Sequence, residues 1–435
     1  MQFDLRELAE LLLSYSCSVL ERRMKRCAAL LALAGLGSAA PIVNRTDQLN
    51  ATRRESKIRH VVGGGGINSI WRPDSAVLEM FRGFPPGGVK VITSAGTNCE
   101  SSGTSLVNSF ANAGIEAEWI PICDAYCGTA AFDPEVVGMV ESADAIFYGG
   151  GQSGRLQSCL YGDYSQSGID VEEGATTPIL EALIRKEIVG GSSAGAMNQP
   201  MSEILVTGHS SESYAVVRAG EVFQRNAGNR MLETEELVDS HFSERGRQGR
   251  GMMIGMQTNQ RFFFGVDEDT SYIWRDTGVY EVVGEGLRDG IRGGVVVFES
   301  VTGTPAAQSG MMHFLTMGDT INPATGEIVY AGDKTPCADG EAPEPSNSIF
   351  SSVNYRTISL AMSRGPIGET LTNYHGSPAV EVRFTRIGTT VAMCGESGYS
   401  FENLLVEQFR DAQDKTFKNP EKPELPLDYI WQHDL

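Results

Sequence analysis

The sequence predicts an α/β fold: a doubly wound, mostly parallel sheet with helices on both faces, followed by a C-terminal β-containing extension. Three observations predict it. Short apolar runs recur along the first two thirds of the chain, separated by segments of helix length, which is the pattern of strands joined by crossover helices. Glycine clusters close those runs, at Gly63-Gly64-Gly65-Gly66, Gly149-Gly150-Gly151 and Gly190-Gly191, where the backbone must turn sharply or approach a ligand. And 435 residues, 41% of them hydrophobic, are enough for one large domain and a smaller extension.

The elements follow in order. Ile58–Val62 reads as the first strand and Val89–Thr93 as the second. A helix over Thr104–Ala113 leads to a third strand over Glu116–Ile122, and Ala145–Tyr148 is a fourth. A helix over Thr177–Arg185 precedes a fifth strand at Glu187–Val189, and Ala196–Leu205 can continue as a helix. From Arg261 the period becomes two, with Phe262, Phe264 and Val266 alternating with Phe263 and Gly265, and Gly293–Phe298 is a further strand. After residue 330 the chain is rich in proline and glycine, then gives strand-like runs at Val380–Phe384 and Gly388–Met393. The expected organisation is an α/β domain over residues 58–330 and an extension or small subdomain over 331–435.

Ahead of these, Glu21–Arg26 is basic, Cys27–Leu36 is apolar and Gly37–Ala40 is small, the three parts of a secretory leader. Residues 1–40 are therefore expected to carry a leader and 41–57 to form a lead-in, making the protein secreted or extracellular; an amphipathic helix of a cytoplasmic protein is the other reading. The apolar run is too short to span a bilayer. Six cysteines follow the leader, an even number that suits disulfides in an oxidising compartment, with 15 possible connectivities. A formal charge of −20 argues against nucleic acid as a partner and favours cationic or arginine-bearing peptides. The first glycine cluster lacks dinucleotide spacing, and no histidine pair has metal-ligand spacing, so neither a nucleotide cofactor nor a metal is expected. The sequence leaves a homo-oligomer open.

Gly191-Ser192-Ser193-Ala194-Gly195 matches G-x-S-x-G between a strand and a helix. Small neighbours let that turn tighten and lift the Ser193 hydroxyl at its apex, with Ser192 as the rival nucleophile. The N–H groups near Gly150 and Ala194 are placed to hold an oxyanion. Of six histidines, His241 lies in the most chemically active stretch, Asp239-Ser240-His241-Phe242-Ser243-Glu244-Arg245-Gly246-Arg247. The acid that orients it should come from Asp267-Glu268-Asp269, at a strand end; alternation sets Glu268 on the face opposite its two neighbours, and the choice stays open on physical grounds. Arg245, Arg247 and Arg250 either fork onto a substrate carboxylate or brace the loop internally.

These segments, with Gly149-Gly150-Gly151-Gln152 and Gly190–Ala196, resemble the cyanophycinase family of serine peptidases, relatives of the aspartyl dipeptidases. The resemblance spans roughly residues 58–330. It implies Ser193 as nucleophile, His241 as base and Glu268 as the third member. It implies Gln152 in the substrate site, beside the candidate contacts Asp239, Ser240, Arg245, Arg247 and Arg250; in that family the substrate is an arginine-bearing β-aspartyl polymer cut to β-aspartyl-arginine. One position departs: Ser240 stands where the family usually has glutamine, so a short hydroxyl replaces a longer amide.

Overall fold

Val89–Ile92 and Ala145–Tyr148 are buried along their whole length, so both faces of these strands must be covered. Alternate residues feed two clusters. Val89, Val91, Ala145 and Phe147 meet Phe81 and Phe110 on one side. Ile92, Ile146 and Tyr148 meet Val136, Val140, Leu156 and Leu180 on the other. The computed structural model describes residues 58–410 apart from 67–70, 72–74, 124–126, 163–176, 201–202, 206–209, 221–224, 228–235, 285–286, 289–290 and 377–379. The expected leader and lead-in, and residues 411–435 of the extension, lie outside these residues.

The first strands are β1 (Ile58–Gly63), β2 (Val89–Ile92), β3 (Ala117–Trp119), β4 (Ala145–Tyr148) and β5 (Val189–Ser192). A separate antiparallel pair, β6 (Glu203–Leu205) and β7 (Arg225–Ala227), follows. Then come β8 (Leu237–Asp239), β9 (Phe262–Val266), β10 (Thr270–Arg275) and β11 (Tyr280–Gly284). The short hairpin β12 (Leu287–Arg288) and β13 (Ile291–Arg292) precedes β14 (Val295–Thr304), β15 (Ala307–Leu315), β16 (Thr320–Ile321) and β17 (Ile328–Val329). The last strands are β18 (Thr335–Pro336), β19 (Thr370–His375), β20 (Val380–Gly395) and β21 (Gly398–Arg410).

Two large sheets result. The first runs β17-β16-β11-β10-β1-β5-β4-β2-β3. The second runs β18-β20-β21-β15-β14-β9-β8, with β19 on β20. The expectation of a mostly parallel sheet is corrected. Only the block β1 to β5 is parallel; the remainder of that sheet is antiparallel, and the second sheet is antiparallel except for β8 with β9. The cause is loop length: the turns after β10, β14 and β20 are only a few residues long, and such turns join antiparallel neighbours.

Two local expectations shift. The fifth strand lies at Val189–Ser192 rather than Glu187–Val189, because its glycines sit between β1 and β4, where side chains are not needed to fill space. The helix after Ser193 spans only Ala194–Met197, and Glu203–Leu205 is a strand; Pro200 lacks the N–H that would continue the helix. The two runs read near the C-terminus are one strand, β20, with a register shift between Arg386 and Val391.

Residues beyond 330 join the second sheet rather than standing apart from it. The buried Lys334 ammonium donates to Asp319 Oδ1 at 2.6 Å, Thr316 Oγ1 at 2.7 Å and Ser400 Oγ at 2.8 Å, which ties this region to the earlier strands. The six cysteines pair as Cys99–Cys123, Cys127–Cys159 and Cys337–Cys394, with Cα separations of 5.6, 4.0 and 5.2 Å.

Candidate active site

Four strands deliver the site at their carboxyl ends. In the first sheet Gly63 of β1 pairs with Ser192 of β5, and Ser193 is the next residue. In the second sheet Asp239 of β8 pairs with Gly265 of β9. The chain leaves β8 through Ser240 to His241 and leaves β9 through Asp267 to Glu268. The segment Gly64–Gly66, leaving β1, bonds to the neighbouring strands and turns. Gly63 O accepts from Ser193 N at 2.9 Å, Gly64 O from His241 N at 2.7 Å, and Gly65 O from Asp269 N at 2.8 Å. This run of glycine carbonyls holds the three segments in register.

Ser193 has φ 56° and ψ −121°, a left-handed turn residue between β5 and the short helix. Its Oγ lies 2.8 Å from His241 Nε2, and His241 Nδ1 lies 2.8 Å from Glu268 Oε1. With Nδ1–H donating to the carboxylate, Nε2 is free to accept the serine proton. Phe242, the next residue, anchors the turn: it is fully buried against Phe263 and Phe298, and the missing side chain of Gly265 makes room for its ring. Truncating such a buried ring typically costs about 3–5 kcal/mol.

Burial, joined by the nearby Arg247 and Arg245 guanidiniums, holds His241 below its ordinary value of 6.5 against the opposing effect of its hydrogen bond to Glu268. Neutral imidazole is the form that accepts a proton, so reactivity falls as pH drops through the His241 pKa. Because that pKa is lowered, the acid limb of kcat/KM should lie below pH 6.5. A pH–rate profile with its acid limb centred above that value would contradict the placement of His241.

Gly150 passes directly beside the nucleophile: a Cβ built on it would lie 3.0 Å from Ser193 Cβ and 3.6 Å from Ser193 Oγ. Neither Gly150 N–H nor Ala194 N–H has a hydrogen-bond partner among the described residues. Gln152 caps the helix Ser153–Tyr161 without a side-chain bond, and its buried Oε1 is an unused acceptor among the described residues. A cavity of about 490 Å³ adjoins Gly150 and Ser192, lined also by Trp71, Thr93, Ser102 and Ser105.

Four of the candidate substrate contacts are buried in the scaffold, and Arg247 and Arg250 take the bracing role that was the alternative for them. Asp239 and Arg250 are 0% exposed and Arg247 is buried beside them. Asp239 accepts from Arg250 Nε at 2.7 Å and Nη2 at 2.9 Å, and from Arg247 Nη1 at 3.0 Å. Burial pushes the Asp239 carboxyl up, but the Arg250 and Arg247 guanidiniums outweigh it and hold it below the usual carboxylate range. This cluster braces the turn under His241, and removing one partner of such a buried set typically costs about 3–5 kcal/mol. Ser240 is 1% exposed and its Oγ lies 3.1 Å from Met197 Sδ, so its hydroxyl turns into the scaffold. Arg245 alone of the three arginines is partly exposed.

Sequence reading missed a layer beneath the relay. Glu244 Oε2 accepts from Glu268 N at 3.0 Å, Asp267 Oδ1 accepts from Ser243 N at 2.9 Å, and Arg356 reaches both carboxylates. Arg356 carried one signal: it is an arginine in the apolar helix Asn354–Met362, flanked by buried Tyr355, Ile358 and Ser359. The tetraglycine was legible as a turn, but its role as the clasp of the site was not.

A strand-end serine hydrogen-bonded to a histidine, itself held by a glutamate, has the make-up of a hydrolase. No family model matches the chain. It is 27% identical over 248 residues to a cyanophycinase from Geminocystis herdmanii, a match covering 54% of this chain and 83% of that one. It is equally similar to cyanophycinases from Nostoc sp. and Trichormus variabilis, covering 74% of each. Among solved structures, a peptidase from an acI-B1 Actinobacterium aligns with TM-score 0.43 at 19% identity, over 61% of this chain and 97% of the other. A Peptidase E protein from Listeria monocytogenes EGD-e aligns with TM-score 0.32 at 13% identity, over 54% and 100%. Over somewhat more than half of its length the chain is thus similar to proteins named cyanophycinase.

Proposed function

We propose that the chain is a serine-type peptidase that hydrolyses cyanophycin or related β-aspartyl peptides through an acyl-enzyme. One observation carries the reading: Ser193, His241 and Glu268 stand in series at 2.8 Å and 2.8 Å on the ends of strands from two sheets. His241 takes the proton as Ser193 attacks the carbonyl, and Gly150 and Ala194 N–H groups hold the oxyanion. His241 then protonates the leaving amine, and water releases the acyl group. The similarity to proteins named cyanophycinase supports the β-aspartyl class, and the charge of −20 suits an arginine-bearing chain.

Ser240 favours a second reading within the same chemistry. With its hydroxyl turned to Met197, the site lacks the amide reach of the family's glutamine, which suits short aspartyl peptides as well as the polymer. Kinetics on cyanophycin, β-aspartyl dipeptides and α-linked aspartyl peptides separate these readings. Release of β-aspartyl-arginine from the polymer is the expected result; turnover of α-linked peptides alone would replace the β-aspartyl assignment, and turnover of none would remove it. We propose further that the protein is exported, a reading supported by its three disulfides. Intact-mass measurement of secreted material should find a mature N-terminus near residue 41; cytoplasmic material retaining residues 24–40 would refute export.

A further inference from the structure

We propose that Arg356, supplied by the region beyond residue 330, is a positioning residue that keeps the Glu268 carboxylate aimed at His241. The inference rests on the reading of Ser193 as a nucleophile. It adds a dependence of that nucleophile on a helix outside the part of the chain that resembles the family.

The geometry is a cross-tie. Arg356 Nη1 lies 2.6 Å from Asp267 Oδ2 and 3.4 Å from Glu244 Oε1. Asp267 immediately precedes Glu268 on the turn after β9, and Glu244 lies three residues after His241 on the turn after β8. Each carboxylate also grips backbone of a neighbouring segment. Asp267 accepts from Ser243 N on the histidine turn and from Gly294 N at 3.2 Å, and Glu244 Oε2 accepts from Glu268 N itself. The orientation of Glu268 therefore depends on two buried acids staying close together.

Two buried acids repel unless a cation sits between them. Burial and the Asp267 charge push Glu244 up to about 8, with the Arg356 guanidinium acting against them. Arg356 itself is 0% exposed, so its charge is screened little by water. Without that charge the two turns lose their common anchor. The Glu268 backbone moves, and the imidazole loses the partner that sets its tautomer and direction.

The test reads nucleophile reactivity directly, as the labelling rate of Ser193 by a fluorophosphonate probe on the full-length protein. Wild-type labelling that is absent, or unaffected by Ser193→Ala, would overturn the functional reading itself. Given wild-type labelling, Arg356→Met should slow it by roughly 10- to 100-fold, the scale of a misplacement of about 1 Å, while circular dichroism shows a folded protein. Measured well above pH 8, where Glu244 is ionised, adding Glu244→Gln, which removes one repelling charge and keeps an acceptor for Glu268 N, should recover part of that loss. A cavity or packing defect at Arg356 would not be recovered that way. Folded Arg356→Met labelling within about twofold of wild type, or a double variant no faster than the single one, overturns the proposal. If Arg356→Met does not fold, Arg356→Lys carries the test. Lysine keeps the charge, but a point cation spans both carboxylates poorly, so labelling should slow by about three- to tenfold at native-like fold; labelling equal to wild type overturns the proposal.

Discussion

Ser193→Ala is expected to lower kcat by about 10⁴- to 10⁶-fold and leave the fold in place. The hydroxyl is the only part of the side chain engaged with His241, at 2.8 Å, and alanine retains the Cβ that already fits beside Gly150. Because alanine shares the left-handed dihedral of Ser193 without a new clash, stability should change by less than about 1 kcal/mol. Ser192 makes the sharp comparison. It is buried at the end of β5, opposite Gly63, and has no apex position from which to attack. Steady-state kinetics and thermal unfolding of both alanine variants check this. Activity lost in Ser192→Ala and kept in Ser193→Ala would reverse the assignment.

Gly65→Ala should be almost as damaging by a different route. Gly65 has φ +97°, and a Cβ there would enter the imidazole of His241. The ring must leave its place between Ser193 and Glu268, so activity should fall by at least about 10²- to 10³-fold. The combined clash and dihedral strain should cost about 2–4 kcal/mol of stability. Gly278→Ala isolates the dihedral part, since Gly278 has φ +75° and open space where a Cβ would be; that variant should lose only about 1–2 kcal/mol and no activity. Equal behaviour of the two alanine variants in kinetics and melting would remove Gly65 from the site.

The parts of this site that the sequence displayed are those built from contiguous residues. The elbow at Ser193 is local, because a strand, small residues and a turn are adjacent in the chain. His241 and Glu268 were found through motif resemblance, and alternation along β9 set Glu268 apart from its neighbours. In the structure Glu268 meets His241 while Asp267 meets Arg356. What stayed hidden depends on pairing between distant segments. Asp239, Arg247 and Arg250 look equally ready for substrate or for one another until burial is known. The antiparallel half of the first sheet, and the joining of β20 and β21 to β15, follow from which turns are short and which faces meet, and neither is written in the period of one run.

The order of the second sheet has a consequence for the protein's birth. β21, the last described strand, is not an edge: it lies between β20 and β15, pairing with both. A chain still emerging from the ribosome has every strand of the parallel block once Ser192 is made, long before it has β21. Until residue 410 is free, β15 presents an unpaired edge, and the sheet that carries His241 and Glu268 is unfinished. Completion of the sheet that positions His241 and Glu268 thereby waits for β21, a delay set by strand order alone.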